Sequence, residues 1–140
     1  MSKIMVTACL LGRNCKYNGG NNLDEKVCAF VQGHEVIPVC PEERAGLGTP
    51  RVPMEIVNGV LINKEGVVVD APVRRAVAQI VAENKDVDLA ILKSRSPTCG
   101  VRQVYDGTFC GVLIDGSGTL VQALKDVGIH VVDAEDIDKV

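Results

Sequence analysis

Apolar positions recur along the chain with two different periods, and the switches between them mark out the elements. Residues 4–8 form a mostly apolar run, which predicts a buried strand. Over residues 24–32 the period changes: Val27, Cys28 and Val31 share one helical face, and Gly33 stops the helix. Residues 35–39 read as a second strand closing at Pro38 and Cys40, after which residues 41–50 have the composition of a loop. Between Ile56 and Ile62 the pair Asn58-Gly59 predicts a two-residue hairpin turn, because both residues accept positive φ. Pro72 marks a helix start, Val73, Val77, Ile80 and Val81 continue at helical spacing, and residues 89–92 follow as a buried strand. The tail repeats that unit. Leu120, Ala123, Leu124 and Val127 make a helical stripe, Gly128 terminates it, and residues 129–132 form a strand.

Strands alternating with helices predict the α/β class. The expected architecture is a mostly parallel sheet with helices on both faces, a Rossmann-like three-layer arrangement, plus a small β-hairpin insertion. No repeat or linker interrupts residues 1–140, which are expected to form one domain. Sites in open sheets of this kind lie at the carboxyl ends of the strands. Cys9 follows the first strand, Cys40 the second, and Cys99 lies in the loop after residues 89–92. Loops leaving neighbouring parallel strands emerge side by side, so three thiols far apart in sequence are expected to converge on one edge.

Composition narrows the class of function. The 140 residues carry 15 Lys and Arg against 18 Asp and Glu, a formal charge of −3, and only 3% are aromatic. Neither a basic field nor stacking platforms are present for nucleic acid. No apolar run approaches the roughly 18 residues needed to cross a bilayer, so no membrane role is expected. With 46% apolar residues the chain can build a core without disulfide staples. Its six cysteines, with no charged-then-apolar leader ahead of them, are expected to be cytoplasmic thiols or metal ligands.

Three converging thiolates suit a metal centre that keeps one coordination position open. A closed zinc site would show a paired C-x₂₋₄-C spacing, which this chain lacks, whereas an iron-sulfur cluster accepts dispersed cysteines on separate iron corners. Cys28 sits in a helical stripe and reads as a small core residue, and Cys110 adjoins an apolar run and reads as packing. Cys15 shares the first loop with Cys9 and stays open as a fourth thiol. Seven of the fifteen cations, Arg13, Lys16, Arg44, Arg51, Lys93, Arg95 and Arg102, lie on the cysteine loops and are expected to lower the thiol pKa values. Glu42 and Glu43 after Cys40, and Ser94, Ser96 and Thr98 before Cys99, are the candidates for proton transfer and oxyanion contact. Gly116-Ser117-Gly118 offers a weak anion cradle before a helix. His34 and His130 are isolated and read as structural.

The motifs carry a resemblance. Ala8-Cys9-Leu10-Leu11-Gly12 with Cys15-Lys16-Tyr17-Asn18-Gly19 comes first, then Cys40-Pro41-Glu42 with Gly46-Leu47 and Thr49-Pro50-Arg51. Leu92-Lys93-Ser94-Arg95-Ser96-Pro97-Thr98-Cys99-Gly100 and Tyr105-Asp106-Gly107-Thr108-Phe109 follow. In this order, over nearly the whole chain, the blocks resemble the thiouracil desulfurase family, formerly a domain of unknown function. The resemblance implies an oxygen-sensitive 4Fe-4S cluster, lost on aerobic handling, with three cysteine ligands at Cys9, Cys40 and Cys99 and one open iron. It implies a catalytic Glu42 and Ser96, with Glu43 and Ser94 as the neighbours that could replace them. The implied activity is desulfuration of a small thiolated heterocycle such as 2-thiouracil by a C=S hydrolase or lyase. The unligated iron would bind the thiocarbonyl sulfur, water would replace it, and hydrosulfide would leave. Thr98 and Cys110 stand where the family pattern would have serines. The rival expectation is a sulfur-handling or binding protein, stabilised by zinc or carrying a persulfide.

Overall fold

Alternation along the opening strand sorts its side chains into two apolar layers. The computed structural model describes residues 2–139, so the ends of the expected domain, Met1 and Val140, lie outside the described residues. In β1 (Lys3–Thr7), Ile4 and Val6 pack with Val27, Val31 and Ile137, while Met5 packs on the other side with Val73, Ile80, Leu120 and Leu124. Each such fully buried side chain contributes about 1.5–3 kcal/mol. β2 (Glu35–Val39) and β5 (Leu89–Leu92) flank β1, and β8 (His130–Asp133) completes a four-stranded sheet in the order β2-β1-β5-β8. All three pairings are parallel. The connections leave β1 toward opposite sides, so the topological switch point lies beside β1, where an open sheet opens a crevice.

The helices cover both faces. α1 (Glu25–Phe30) and a closing 3-10 turn (Ala134–Lys139) lie on the Ile4 side; α3 (Asp70–Glu83) and α4 (Thr119–Asp126) lie on the Met5 side. Asp24 caps α1 by accepting from the amides of Lys26 and Val27, and Gly33, at φ 83°, ends the turn after it. α3 begins at Asp70, two residues before Pro72. Proline is tolerated anywhere in the first turn, since those amides have no intrahelical acceptor. Asp70 also accepts from the Leu61 amide and from Arg74, which ties the start of the helix to the Leu61 backbone.

Asn58 at φ 50° and Gly59 at φ 80° join β3 (Met54–Val57) to β4 (Val60–Asn63) with Val57 opposite Val60, the expected hairpin. Three features depart from the sequence reading. Residues 41–50 contain a short helix, α2 (Pro41–Arg44), because Pro41 supplies the helical φ at its first position and Glu42 and Glu43 suit its first turn. A second hairpin, β6 (Gln103–Tyr105) with β7 (Leu113–Asp115), has strands of three residues, too short for a period to register. Cys110 is exposed on the turn between them, not packed, its thiol directed at the Thr108 carbonyl. No helix among the described residues is long and apolar enough to cross a membrane.

Candidate metal centre

Each of the three strand ends that meet at the switch point delivers a cysteine. After β1 the chain closes into a 3-10 turn (Ala8–Leu11) that turns Cys9 inward, and Asn22 donates both its amide to the Cys9 carbonyl and its side-chain nitrogen to Cys9 Sγ, at 3.0 and 3.4 Å. Cys40 follows β2 and occupies the N-cap position of α2, its thiol making no capping bond. Cys99 hangs from the loop after β5, where Ser96 Oγ accepts from the amides of Thr98 and Cys99 and fixes a tight turn. Cys9, Cys40 and Cys99, together with Cys15, Glu42 and Ser96, line one cavity of about 480 Å³. Ser94 lines it too, whereas the Glu43 carboxylate pairs with Arg13.

α4 holds the Cys99 loop in place. The amides of Gly118, Thr119 and Leu120 donate to the carbonyls of Gly100, Pro97 and Thr98 at 2.8–3.1 Å. The Gly116-Ser117-Gly118 segment is therefore no anion cradle, because the loop carbonyls already take its helix-start donors. Only glycine fits at 118: a Cβ there would stand 2.3 Å from the Thr98 carbonyl carbon. Gly118→Ala is expected to cost about 1–3 kcal/mol in urea unfolding by overpacking. Gly116→Ala, whose Cβ would meet only a Val104 methyl at 3.3 Å, is expected to cost less.

Burial, not the surrounding cations, dominates the thiols. Cys99 is 1% exposed and its thiol is pushed up to about 12, against weaker opposing hydrogen bonds from Thr7 and Thr98. Cys15 also rises to about 12, through burial first and then the neighbouring Cys40, Cys9 and Glu43. Cys9 rises by burial, with Asn22 and Lys93 pulling it back. Of the loop cations, Lys93 alone lowers one of these raised thiols, that of Cys9, and burial outweighs it; most of the others are paired with carboxylates. Arg13 pairs with Glu43, Arg44 with Glu83, Arg51 with Glu42, Arg95 with Glu135 and Arg102 with Asp136. Lys93 lines the cavity and donates to Ser94 Oγ at 3.1 Å.

The residue whose role the sequence reading missed most is Arg51. Its side chain is 7% exposed and that of Glu42 15%; Nε donates to Glu42 Oε1 at 3.0 Å, Nη2 to the Cys15 carbonyl at 2.9 Å, and Nη1 to the Gly48 carbonyl and Thr49 Oγ1. One guanidinium thus orients the candidate base, the Cys15 loop and the chain after α2. Arg51→Met is expected to lower stability by about 3 kcal/mol, at the low end for a broken buried pair because Glu42 keeps some solvent. Adding Glu42→Gln to that variant should recover part of the loss in urea unfolding. Glu55 was also missed, since a carboxylate on a hairpin strand gives no signal of burial. It is 9% exposed, and its Oε1 accepts from the amides of Gly107 and Phe109, which anchors the second hairpin at the cavity.

Among the described residues, one group of possible ligand atoms includes Cys15, the thiol that the sequence leaves open. Cys15 Sγ, Cys40 Sγ and a Glu43 carboxylate oxygen lie within 4.8 Å of one another, with Cys9 and Cys99 outside that group.

Comparisons with known proteins agree with this architecture. A protein from Bacillus subtilis strain 168, described as the uncharacterized protein YbbK, is 32% identical over 149 aligned positions, covering 98% of this chain and 99% of its own. A solved structure described as the 4Fe-4S-dependent thiouracil desulfidase TudS superposes with a TM-score of 0.90 at 31% identity, over 99% of this chain and 95% of that one. The family model described as 2-thiouracil desulfurase matches residues 4–136, and with nearly its whole length matched the chain belongs to the 2-thiouracil desulfurase family.

Proposed function

We propose that this protein exchanges the thiocarbonyl sulfur of a small heterocycle such as 2-thiouracil for the oxygen of water, releasing hydrosulfide. The exchange is redox-neutral: a C–O bond forms, the C–S bond breaks, and the protons of water end on the products and buffer. The observation that carries this reading is the convergence of three strand-end thiols with Glu42 and Ser96 on one cavity.

The donor set fits a 4Fe-4S cluster held by Cys9, Cys40 and Cys99. Thiols are the donors such clusters take, and their dispersal over three strand ends suits ligands on separate iron corners. The 4Fe-4S dependence named for the solved relative supports a cluster of this type, without bearing on which residues hold it. When bound, a cluster with one iron free of protein ligands supplies a thiophilic Lewis acid that polarises the C=S bond.

The chain's own residues do the remaining work. Glu42, held by Arg51 at 3.0 Å, takes a proton from the attacking water. Ser96 Oγ already accepts from two backbone amides, which leaves its own O–H to donate, in the structure toward Thr98 Oγ1 at 3.0 Å and in the reaction toward the developing oxyanion. Lys93 places its ammonium on the cavity wall, where it favours an anionic leaving sulfide.

The test is anaerobic reconstitution followed by iron and sulfide analysis, 2-thiouracil absorbance decay and sulfide release. The expected result is iron and sulfide in the ratio of one cluster, with sulfide appearing as thiouracil disappears. A fully loaded protein inert toward thiouracil would remove the substrate assignment. One tightly held zinc, with no uptake of iron, would replace the cluster by the zinc-stabilised reading.

A further inference from the structure

Cys15 and Glu43 have no part in that reaction, yet they converge with Cys40. Cys40 occupies the N-cap position of α2 and Glu43 stands three positions on, an offset that turns two side chains toward each other across the start of a helix. Cys15 arrives from the opposite loop with its backbone fixed on both sides. Its amide donates to the Arg13 carbonyl at 2.9 Å, and its carbonyl accepts from Arg51. The Cys40 thiol points to that same carbonyl at 3.8 Å. The three donor atoms, two sulfurs and one carboxylate oxygen, fall within 4.8 Å of one another.

That spacing is close to what a single ion needs. Ligand distances of about 2.0–2.3 Å around a tetrahedral ion place neighbouring donors about 3.3–3.8 Å apart, whereas thiolates on separate corners of a cubane stand wider. Two sulfurs and a carboxylate suit zinc or another borderline divalent cation, with the fourth position left to water. Among the described residues the Glu43 carboxylate pairs with Arg13 alone, whose side chain is 57% exposed, and a surface pair of that kind is readily given up.

We propose that Cys15, Cys40 and Glu43 form a mononuclear site for a divalent cation such as Zn²⁺, distinct from the cluster ligands but sharing Cys40 with them. An ion in this site and a cluster on Cys9, Cys40 and Cys99 then exclude each other. This exclusion rests on the reading of Cys40 as a cluster ligand; the ion site itself does not.

The experiment is a titration of anaerobic, cluster-free protein with Co²⁺, a spectroscopic substitute for Zn²⁺. One ion per chain should bind with thiolate-to-cobalt charge-transfer absorption. Cys15→Ser and Glu43→Gln should each weaken binding at least about tenfold, and Cys99→Ser should bind as the parent does. Zn²⁺ added before reconstitution should block iron uptake in the parent and leave Cys15→Ser able to load. Equal affinity in the parent, Cys15→Ser and Glu43→Gln overturns the site, as does a loss in Cys99→Ser as large as in Cys15→Ser. Failure of the cluster reading shows differently: Cys15→Ser that takes up no iron even without zinc makes Cys15 a cluster ligand, whatever the cobalt titration gives.

Discussion

Cys99→Ala is expected to fold normally and yet leave anaerobic reconstitution with no stable cluster and no thiouracil turnover. The separation of the two effects follows from where Cys99 sits. In the cluster-free chain it is a fully buried thiol, pushed up to about 12 and therefore neutral, packed in the same apolar layer as Leu92 and Leu120. Removing one sulfur from such a site costs about 1 kcal/mol as a small cavity, well within what a domain of this size tolerates. Its loss as a ligand is another matter, because a cluster already lacking a protein donor on one iron would then lack two. Circular dichroism should match the parent and the urea midpoint should fall by no more than about 1 M, while bound iron, bound sulfide and activity vanish. Full iron retention in this variant would refute the ligand set of Cys9, Cys40 and Cys99. The raised thiols add a condition: each must lose its proton on ligation, so loading of the parent should proceed further at pH 8.5 than at pH 6.5.

The cysteine edge was legible because it depended on strand order alone. The apolar runs that became β1, β2 and β5 place Cys9, Cys40 and Cys99 at carboxyl ends, and parallel pairing brings those ends together whatever the detail of the loops. What stayed hidden depended on loop geometry. Cys15 and Glu43 meet because the Cys15 loop folds back over the start of α2, and a loop has no period from which to read its path. Arg51 reads as one cation among seven; its burial against Glu42 follows from the turn through Gly48 and Thr49, whose path no hydrophobic period reveals. Gly116-Ser117-Gly118 misled for the opposite reason. Its helix-start amides are real donors, but the carbonyls they serve belong to the Cys99 loop, brought there by the tertiary fold. Cys110 reads as packing because it adjoins an apolar run, yet that run is a short strand with an exposed turn before it.

Glu42→Gln is expected to lower kcat for thiouracil desulfuration by about 10²–10⁴-fold, the range for losing a positioned general base, while iron content matches the parent. Glutamine keeps the volume and an acceptor oxygen for Arg51 Nε, so the guanidinium can still hold the Cys15 carbonyl and the cavity keeps its shape. The amide can neither accept a proton from water nor offset the Arg51 charge, so a loss of stability in urea unfolding should accompany the loss of rate. Glu42→Asp retains a carboxylate on a shorter arm and should recover part of the rate, since the defect becomes one of distance. The comparison with Glu43→Gln decides between adjacent carboxylates. Glu43 faces Arg13 and the Cys15–Cys40 pair, so a kcat collapse in Glu43→Gln with an active Glu42→Gln would transfer the base to position 43. Equal iron and equal rates in Glu42→Gln and the parent would leave Glu42 as no more than the buried partner of Arg51, and the attacking water would then have to lose its proton to another group.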